Sequence, residues 1–400
     1  MDKLTVRDID VAGKRVFLRA DLNVPLEDGR ITDDSRIRAS IPTLRYLLEH
    51  GAGVVLASHL GRPKGKVNDA LRLKPVADRL AQLLRRPVRM TGDALGPGVV
   101  DAVNKLRPGD LLMLENLRFH AEEESNDPSF AEALAKLAEI YVDDAFGSAH
   151  RAHASTEGIT HFLPSVAGLL LEREVDGLSR LLKRPPKPFI AVIGGAKVSG
   201  KLEVLDALLS RCAAVLVGGG MANTFLAAKG HAMGKSLVEK EQIENAQRIT
   251  VEARRKRVRL MLPVDAVIAA QVHPRSQTEV IAIGDVPKEW AVVDIGQKTI
   301  EAYAQALAKA KTIFWNGPMG VFEVAPFAEG TNAIARILAE RTDDGVVTIV
   351  GGGDSLAAVE RLELTDRMTH VSTGGGASLE FLEGKTLPGV AALLDARPAA

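Results

Sequence analysis

Polar and cationic side chains follow each of the four apolar runs in the first half of the chain. They are, in chain order, Asp21, Asn23, His59, Arg62, Arg118 and Arg151. The planar guanidinium of arginine matches the geometry of carboxylate and phosphate groups. If the apolar runs are parallel strands, their ends meet at one edge of a sheet. This pattern predicts a pocket for a small molecule that carries several negative charges.

Two simpler interpretations apply to single members of this set. Any one arginine could form a surface salt bridge, which is the commoner role of an isolated arginine. His150 and His153 could indicate a metal site, but no cysteine lies near them, which disfavours that interpretation. The hypothesis of an anion pocket therefore depends on the whole set, together with Arg36 at the start of the first predicted long helix.

Five glycine-rich turns follow apolar runs in the second half of the chain. They span residues 194–197, 218–221, 316–320, 351–355 and 373–377. The backbone N–H groups of a glycine turn at the start of a helix can bind phosphate. A single such turn can be only a tight bend, but five at the strand ends of one domain indicate a nucleotide site.

The match to known phosphate-binding motifs is incomplete. Residues 195–202 resemble a Walker loop, but Leu202 stands where that loop needs Ser or Thr to bind magnesium. No glycine motif of the dinucleotide-binding type follows a strand. Asp354, in a glycine turn at a predicted helix start, is therefore the best candidate for a magnesium ligand.

Two lysines lie beside the first of these turns. Lys197 and Lys201 are four residues apart, so a helix that begins near Val198 would place both on one face. There they would neutralise phosphate charge. Lysines at this spacing can equally form a solvated helix face, so the pair alone leaves both interpretations open.

A hydrolase is a further alternative. Residues 353–356, Gly-Asp-Ser-Leu, match the nucleophile block of one group of hydrolases. In those hydrolases the block lies at the start of the fold, whereas here it lies close to the end of the chain. His370 is the one histidine after it that could act as the catalytic base, and no carboxylate partner for it is evident. Short matches of this kind also recur by chance, so the hydrolase interpretation is disfavoured.

The elements that would position these residues alternate between short apolar runs and longer amphipathic segments. This alternation predicts an α/β fold of two tandem doubly wound, parallel-sheet (Rossmann-like) domains. The predicted strands are residues 15–18, 53–57, 111–114, 140–142, 189–193, 214–217, 259–262, 312–315, 346–350 and 370–372. The predicted helices are residues 34–50, 74–86 and 129–139, and a connecting helix at about 172–182. Three prolines between residues 185 and 188 mark the start of the second domain.

The composition excludes several classes of protein. Of 400 residues, 46% are hydrophobic and 26% are charged, as in an ordinary globular protein. The 51 basic and 51 acidic residues cancel, so no overall field attracts nucleic acid or an anionic membrane. The basic run at 254–257 is then best interpreted as the solvated end of a helix. One cysteine, Cys212, and the lack of an apolar leader or spanning run predict a soluble, cytoplasmic protein.

Eight segments together carry a family resemblance. They are Arg19–Pro25, Ser58–Pro63, Glu115–Phe119, Asp144–Ser155, Gly194–Lys201, Trp315–Glu323, Gly351–Ser355 and Thr373–Ser378. In these segments, and in their order along nearly the whole chain, the sequence resembles the phosphoglycerate kinase family. The resemblance implies reversible phosphoryl transfer from 1,3-bisphosphoglycerate to MgADP, giving 3-phosphoglycerate and MgATP in glycolysis. The proline-rich junction and the separation of the two anion sites predict that the domains close on a hinge near residues 172–188 for direct in-line transfer, and we expect a monomer.

The resemblance also assigns roles to positions that match the family's motifs. 3-Phosphoglycerate would contact Asp21, Leu22, Asn23, Arg36, His59, Leu60, Gly61, Arg62, Arg118 and Arg151. The nucleotide would contact Gly195, Lys201, Gly219, Glu323 (at the ribose), Gly352, Gly353, Asp354 (at Mg²⁺) and Ser355. The phosphoryl group in transfer would be surrounded by Arg36, Lys197, Lys201, Gly374 and Gly375. The implied glycerate domain is residues 1–170 with a returning tail at about 385–400, the connecting helix and linker are 171–188, and the nucleotide domain is 189–384.

Two positions depart from the family's pattern. Ser355 stands where many relatives carry threonine, a change that keeps the hydroxyl group. Val292 stands where some members carry glycine near the nucleotide, so the resemblance does not define that contact. Two other functions stay open: an α/β phosphotransferase that acts on a different small carboxylate, and a binder of nucleotide or metabolite without catalytic activity.

Overall fold

Two six-stranded parallel sheets form the centres of two separate units. The computed structural model describes residues 1–396. One unit consists of Met1–Asp176 and the chain from Thr386 onward, and the other consists of Gly177–Lys385. Doubly wound parallel sheets in both units confirm the predicted α/β class. Within residues 1–396, no helix combines the length and apolar character that crossing a bilayer requires.

The first unit contains eight strands and the first helices of the chain. Its strands are β1 (Arg15–Ala20), β2 (Leu26–Glu27), β3 (Arg30–Ile31), β4 (Gly53–Ala57), β5 (Arg89–Met90), β6 (Leu111–Met113), β7 (Ile140–Asp144) and β8 (Ser165–Ala167). Its helices are α1 (Ser35–Glu49), α2 (Lys74–Leu84), α3 (Pro97–Asn104), α4 (Ala121–Glu124) and α5 (Pro128–Ala135), and α6 (Leu169–Leu182) contains the boundary between the units.

The second unit contains nine strands and seven further helices. Its strands are β9 (Phe189–Ile193), β10 (Ala214–Val217), β11 (Arg259–Met261), β12 (Asp265–Ala269), β13 (Thr278–Ala282), β14 (Ala291–Ile295), β15 (Thr312–Asn316), β16 (Val347–Gly351) and β17 (His370–Val371). Its helices are α7 (Leu202–Leu208), α8 (Gly219–Ala228), α9 (Ile243–Arg255), α10 (Gln297–Leu307), α11 (Glu329–Asp343), α12 (Gly353–Arg361) and α13 (Gly376–Leu382). The last helix of the described chain, α14 (Pro388–Ala391), belongs to the first unit.

The sheet of the first unit reverses its winding beside β1. Its strand order is β5-β6-β4-β1-β7-β8, and β1 pairs in parallel with both β4 and β7. Apolar residues such as Val16, Phe17 and Leu18 are fully buried because helices cover both faces of a parallel sheet. The reversal between β1 and β7 opens a crevice at the carboxyl ends of the strands, which is where α/β sheets bind ligands.

The sheet of the second unit reverses between β9 and β15. Its strand order is β11-β10-β9-β15-β16-β17, with every neighbouring pair parallel. Gly194 follows β9 and Gly317 follows β15, so two of the glycine turns lie side by side at this reversal. Trp315 of β15 is fully buried, and its Nε1 donates to the carbonyl oxygen of Gly317 at 2.8 Å, which supports the turn from below.

A three-stranded antiparallel sheet was not predicted from the sequence. It has the order β13-β12-β14, and its register shifts between Val267 and Ile268. β13 is largely exposed and alternates weakly between polar and apolar residues, so its pattern does not indicate a strand. The sheet matters for function because β14 carries Val292, Val293 and Asp294, which line the cavity described below.

Several predicted helix ends were wrong by a few residues. α2 ends at Leu84, because Arg85 adopts a left-handed conformation with φ of 54° and stops the helix. α5 ends at Ala135, four residues early. The connecting helix α6 begins at Leu169, where the buried carboxylate of Asp144 accepts hydrogen bonds from the backbone N–H groups of Leu170 and Leu171. A helix start stabilised by a side chain distant in sequence has no local sequence signal.

The C-terminal segment pairs with the beginning of the chain. The N–H of Leu4 donates to the carbonyl of Leu394 at 2.8 Å, and the N–H of Leu394 donates to Ser165 at 3.0 Å. The N–H of Gly389 donates to Ala149 at 2.9 Å. These contacts lie within the first unit, and the final four positions of the expected returning tail fall outside the described residues.

Candidate active site

In the first unit, Arg36 is held beside the end of β1. It lies in the first turn of α1, and its Nη1 donates to the carbonyl of Asn23 at 2.9 Å and to Oδ1 of Asp21 at 3.3 Å. The carboxylate of Asp21 is mostly buried, whereas the side chain of Arg36 is 30% exposed. The arrangement holds the guanidinium at a fixed place while part of it stays accessible to a ligand.

Asn23 and Arg118 both fix the loop after β4. The N–H of Gly61 donates to Oδ1 of Asn23 at 2.8 Å, and Nη1 of Arg118 donates to the carbonyl of Gly61 at 3.0 Å. Gly61 has a φ of 63°, a left-handed conformation that favours glycine, and a Cβ there would displace the side chain of Leu71. The loop between Asn23 and Arg118 is therefore held rigidly at the sheet edge.

The other predicted residues at this edge are mainly backbone supports. The N–H of Leu22 donates to Oγ of Ser58 at 3.0 Å, and Leu60 exchanges two hydrogen bonds with the side chain of Asn116. Leu22 and Leu60 are both buried. Their contribution to a ligand is therefore through backbone position rather than exposed side chain.

His59 is buried among cationic side chains. Its Nδ1 lies 3.1 Å from Nη2 of Arg19. Burial, reinforced by the positive charges of Arg19, Arg118 and Arg36, holds the pKa of His59 well below its usual value of 6.5. His59 is therefore a neutral hydrogen-bonding group in a positively charged pocket.

A buried network that the sequence analysis did not include lies behind His59. The fully buried Arg19 donates from Nε to Oγ of Ser155 at 2.8 Å, and Ser155 donates to Oε1 of Glu123 at 2.6 Å. Burial raises the pKa of Glu123, while Arg19 opposes that shift. The same environment lowers the pKa of His153 to about 3, mainly through burial and the charge of Arg118. His153 is thus neutral and adds no positive charge to the pocket. Its protonation state therefore does not distinguish an anion-binding role from a structural one.

Arg62 and Arg151 differ in how close they lie to the other cationic residues of this site. Burial is the main cause that lowers the pKa of Arg118, and the charges of Arg19 and Arg151 add to the shift, which places Arg151 near Arg118. Nε of Arg151 donates to Nε2 of His150 at 3.1 Å. The side chain of Arg62 is exposed and makes no hydrogen bond to any residue in the described part of the chain. The structure therefore places Arg36 and Arg118 near His59, places Arg151 near Arg118, and leaves Arg62 outside the network.

In the second unit, a cavity of about 240 Å³ lies at the sheet reversal. Its lining includes four of the predicted nucleotide-binding residues, Gly195, Gly219, Glu323 and Asp354, and also Val292. Ala196, Gly220, Pro318, Met319 and Gly320 of the predicted glycine turns also line it. The lining residues that the sequence did not indicate are Asn223, Leu237, Val293, Asp294 and Val321. Most of the lining residues are apolar or glycine, so the cavity suits a flat, largely apolar group flanked by polar ends.

Glycine is required where the turns of this cavity meet. Gly219 has a φ of 65°, and a Cβ there would lie 2.7 Å from the carbonyl oxygen of Gly195 and 2.8 Å from that of Pro318. The turn after β10 thus packs directly on the turns after β9 and β15. The N–H of Gly195 donates to the carbonyl of Pro318 at 2.8 Å and that of Gly219 to the carbonyl of Met319 at 2.9 Å, so hydrogen bonds between the turns fix their positions at the cavity.

Lys201 is placed behind these turns, and the predicted helix start was wrong. Residues Ser199–Lys201 form a 3₁₀ turn and α7 begins at Leu202, so Lys197 and Lys201 do not share one helix face. Nζ of Lys201 donates to the carbonyls of Gly194 at 2.7 Å and Asn316 at 3.1 Å. Burial lowers the pKa of Lys201 to about 8, and the negative charge of Asp354 opposes the shift. Lys197 is exposed on the preceding segment.

The turn after β16 carries the remaining predicted nucleotide residues. Gly352 has a φ of 91°, α12 begins at Gly353, and the exposed carboxylate of Asp354 lies in its first turn. Oγ of Ser355 is buried and accepts a hydrogen bond from the N–H of Gly317 at 2.6 Å. Ser355 therefore joins two glycine turns. Gly352, Gly353 and Ser355 are not part of the cavity wall.

The last glycine turn lies at the start of α13. Gly375 has a φ of 56°, and the N–H of Gly374 donates to Oγ of Ser372 at 3.2 Å. Neither residue lines the cavity, and α13 packs on α7. The structure therefore places this turn near the segment that follows Lys201 rather than in the cavity wall.

Comparisons with known proteins agree on one family. The sequence model of the phosphoglycerate kinase family matches residues 6–385. The chain belongs to the phosphoglycerate kinase family. It is 56% identical over 395 residues to the phosphoglycerate kinase of Moorella thermoacetica, covering 99% of this chain and 100% of that protein. It is also 56% identical over 399 residues to that of Chloroflexus aurantiacus, with the same coverage.

Solved structures of the phosphoglycerate kinase family have the same fold. The structure from Coxiella burnetii matches with a TM-score of 0.85 at 42% identity, and that from Pyrococcus horikoshii with 0.88 at 35% identity. Each match covers 98% of both chains. The resemblance seen in the motifs therefore extends to the whole chain, and kinases of this family use ATP and ADP as substrates.

Proposed function

We propose that this protein catalyses the phosphoglycerate kinase reaction of glycolysis. It would transfer a phosphoryl group reversibly from 1,3-bisphosphoglycerate to MgADP, giving 3-phosphoglycerate and MgATP. The observation that carries the proposal is the pair of sites: a cationic cluster around His59 in one unit and a glycine-edged cavity beside Lys201 in the other. Family membership supports the same reaction.

The cationic cluster of the first unit would bind 3-phosphoglycerate. Arg36, Arg118 and Arg151 supply positive charge, and neutral His59 supplies a hydrogen bond. Arg62 is exposed, so its proposed contact would form when the ligand is bound. Asp21, Leu22, Asn23, Leu60 and Gly61 would hold the loops that carry these groups. Fixed arginines suit this ligand because their planar forks match carboxylate and phosphate oxygens.

The cavity of the second unit would bind the nucleotide. Its apolar walls would contact the base, Glu323 at the rim would bind the ribose, and the turns at Gly195 and Gly219 would face the phosphates. Lys201 lies behind these turns with a positive charge at neutral pH. Gly352, Gly353 and Ser355 would support the phosphate end through the adjoining turn.

Magnesium would bind together with the nucleotide rather than at a site formed only by protein side chains. Within residues 1–396, no group of three or more His, Cys, Asp or Glu side chains could hold a metal. Asp354 fits the role because its exposed carboxylate is a hard oxygen ligand on the cavity wall. Mg²⁺ usually takes one or two protein carboxylates, with phosphate oxygens and water completing its shell. When bound, it would neutralise phosphate charge.

Phosphoryl transfer requires the protein mainly to position the reactants and to neutralise their charge. The attacking carboxylate of 3-phosphoglycerate is already ionised at neutral pH, so no general base is needed. Its approach to a polyphosphate is opposed by about 4 kcal/mol for each pair of like charges 4 Å apart at an effective dielectric of 20. Arg36, Lys197 and Lys201, with the turn at Gly374 and Gly375, would offset that repulsion during in-line transfer.

Transfer of this kind requires the two bound substrates to meet. We therefore propose a hinge near residues 172–188, with residues 1–170 and the returning tail holding glycerate and residues 189–384 holding nucleotide. Small-angle X-ray scattering should give a smaller radius of gyration with both ligands than with either one. An unchanged radius would contradict hinge closure. We also propose that the enzyme is a monomer and works in the cytoplasm with other glycolytic enzymes.

One coupled assay tests the proposed activity. Purified protein is supplied with 1,3-bisphosphoglycerate and MgADP, and ATP formation is followed with hexokinase and glucose-6-phosphate dehydrogenase. We expect rapid ATP formation and the reverse reaction with 3-phosphoglycerate and MgATP. A panel of other small carboxylates should be phosphorylated much more slowly. Tight nucleotide binding without turnover would show a silent binder, and preference for another carboxylate would show a different phosphotransferase.

A further inference from the structure

The carboxylate of Glu239 binds the segment that carries Lys197. Its Oε2 accepts hydrogen bonds from the backbone N–H groups of Val198 at 2.5 Å and Ser199 at 3.1 Å. Its Oε1 accepts a third from the hydroxyl of Ser199 at 2.5 Å. Glu239 is 8% exposed, so water competes little for these bonds. The mechanism proposed above gives this residue no role.

The hydrogen bonds replace a local cap that this segment lacks. The N–H groups at the start of a helical turn are normally satisfied by a nearby Ser, Thr, Asn or Asp side chain. Lys201 occupies the N-cap position of α7 and provides no side-chain cap, because an ammonium group has no acceptor, and its Nζ donates to the carbonyls of Gly194 and Asn316. Glu239, about forty residues further along the chain, instead accepts from the N–H groups of Val198 and Ser199, where the 3₁₀ turn begins.

Glu239 is itself attached to the helix beside the nucleotide cavity. Its N–H donates to Oγ1 of Thr224 on α8 at 3.1 Å. α8 begins at Gly219, and a Cβ on Gly220 would lie 2.7 Å from the carbonyl oxygen of Ala196. The segment before and after Lys197 is thus fixed to α8 on both sides.

We propose that Glu239 is a positioning residue for phosphoryl transfer, which acts by holding the backbone next to Lys197. This inference rests on the proposed function for the role of Lys197. The side chain of Lys197 is exposed, so only its backbone is held in place. We call the three hydrogen bonds from Val198 and Ser199 to Glu239 the clamp. Without it, the ammonium group of Lys197 would occupy many positions, and a displacement of about 1 Å from the reactive geometry can reduce a rate about a hundredfold.

A double-mutant cycle of Glu239→Gln with Lys197→Ala tests the proposal. Glutamine keeps the size of glutamate but is uncharged, so its amide oxygen accepts weaker hydrogen bonds from Val198 and Ser199, and its NH₂ group cannot accept from the Ser199 hydroxyl. We expect Glu239→Gln to lower kcat about tenfold to a hundredfold, with the KM for ADP within a factor of about three. In the Lys197→Ala background the same change should lower kcat by less than twofold. An equal loss in both backgrounds, or no loss at all, would overturn the proposal.

Hydrogen exchange measured by mass spectrometry gives a readout that does not depend on activity. Glu239→Gln should speed amide exchange in a peptide containing Val198 and Ser199, and leave peptides of the first unit unchanged. Unchanged exchange at Val198 and Ser199 would overturn the clamp even in an active enzyme. If faster exchange is found but the wild-type protein forms no ATP, the proposed function fails and the clamp remains.

Matched variants separate the clamp from a general loss of stability. Glu241→Gln changes an exposed glutamate two residues away and should leave kcat and exchange at wild-type values. Ser199→Ala removes only the hydroxyl bond and should produce a smaller loss of kcat in the same direction. Because Ser199 is exposed, this variant keeps the proposal testable if Glu239→Gln does not fold. A wild-type kcat in a folded Ser199→Ala variant that also lacks faster exchange would count against the clamp.

Discussion

Nη2 of Arg19 lies 3.1 Å from Nδ1 of His59, and both side chains are buried in the first unit. A guanidinium has donors and no acceptor, so Nδ1 of His59 must accept this hydrogen bond. A neutral imidazole carries its proton on the other nitrogen in that case. Arg19 therefore fixes the tautomer of His59 and leaves Nε2–H as the donor available to an anion.

The tautomer of His59 can be measured directly. We expect ¹⁵N-histidine-labelled protein to show His59 as the neutral Nε2–H form at pH 7 and still at pH 6, because the pKa of His59 is held well below 6.5 by burial and nearby arginines. The resonance is assigned by its loss in His59→Gln. His50, an exposed histidine, provides a reference resonance in the same sample. A protonated Nδ1 in His59, or titration near pH 6.5, would contradict the assignment.

The second prediction concerns Arg36. Arg36→Ala should reduce kcat about a thousandfold, which is the scale reported for arginines that stabilise a transferring phosphoryl group. The fold should persist because the side chain is 30% exposed. Arg38→Ala, on the same helix, removes a mostly exposed arginine paired with Asp34 and should keep nearly the wild-type kcat. A normal kcat with only a raised KM for 3-phosphoglycerate would make Arg36 a binding residue.

The third prediction concerns Asp354 and magnesium. Isothermal titration of ADP with and without Mg²⁺ should show tighter binding with the metal in the wild-type protein. Asp354→Asn should lose most of that gain, because an amide is a weaker ligand for a hard cation than a carboxylate. Asp366→Asn, at another exposed aspartate of the same unit, should keep the full gain. Equal dependence on Mg²⁺ in the wild type and Asp354→Asn would remove the role proposed for Asp354.

The parallel strands were predictable from the sequence because their residues are buried on both faces. Runs such as Gly53–Ala57 and Phe189–Ile193 are continuously apolar, and the structure has both with the predicted bounds. Glycine turns and polar residues directly after such runs indicated the carboxyl edges of the sheets. β13 could not be predicted in this way, because an exposed strand has no apolar run.

The supports of the site were less predictable than its charged residues. The positions of Arg36 and Asp354 follow from motifs at strand ends and helix starts. The contact of Glu239 with Val198 joins residues far apart in the chain, and no local pattern indicates it. Arg19 lies inside the first strand, one residue beyond the predicted end of that strand, so the sequence did not mark it as a charged residue in a buried strand, which would indicate a functional or paired group.

The fourth prediction concerns the buried carboxyl group of Asp143. Its Oδ1 accepts a hydrogen bond from the N–H of Ala145 at 2.9 Å, and its Oδ2 has no partner in the described part of the chain. Burial raises the pKa of Asp143 from 3.8 to about 7. Between these two pH values the folded protein holds a proton that the unfolded chain has released. The free energy of unfolding attributable to Asp143 therefore falls as pH rises from about 4 to about 7, by about 1.4 kcal/mol per pH unit.

Asp143→Asn should remove this contribution, since asparagine can keep the acceptor for Ala145 and cannot ionise. Urea unfolding followed by far-ultraviolet circular dichroism at pH 5, 6, 7 and 8 should show the variant gaining stability relative to wild type up to about pH 7, then levelling. Asp101→Asn, at an exposed aspartate on α3, should give a curve parallel to wild type. A constant difference between wild type and Asp143→Asn across this range would contradict the raised pKa.

The last prediction concerns the charge of Lys201. Burial lowers the pKa of Lys201 to about 8, so its ammonium form is lost as pH rises above that value. Bound phosphates favour the charged form and must restore the proton, so binding becomes weaker as protons become scarce. The affinity for MgADP should therefore be nearly constant from pH 6.5 to 7.5 and fall above pH 8, by up to about tenfold per pH unit.

Calorimetric titration of MgADP between pH 6.5 and 9.5 separates this charge from other effects. Lys201→Met, which has no charge at any pH, should bind more weakly at pH 7 and show no fall above pH 8. Lys201→Arg keeps its charge across the range, because a guanidinium stays protonated, and should also show no fall. The affinity of both variants should be independent of pH above 8, because one is never charged at this position and the other always is. A fall in affinity above pH 8 that persists in either variant would show that another group causes it. A flat wild-type profile would show that Lys201 stays charged in spite of its burial.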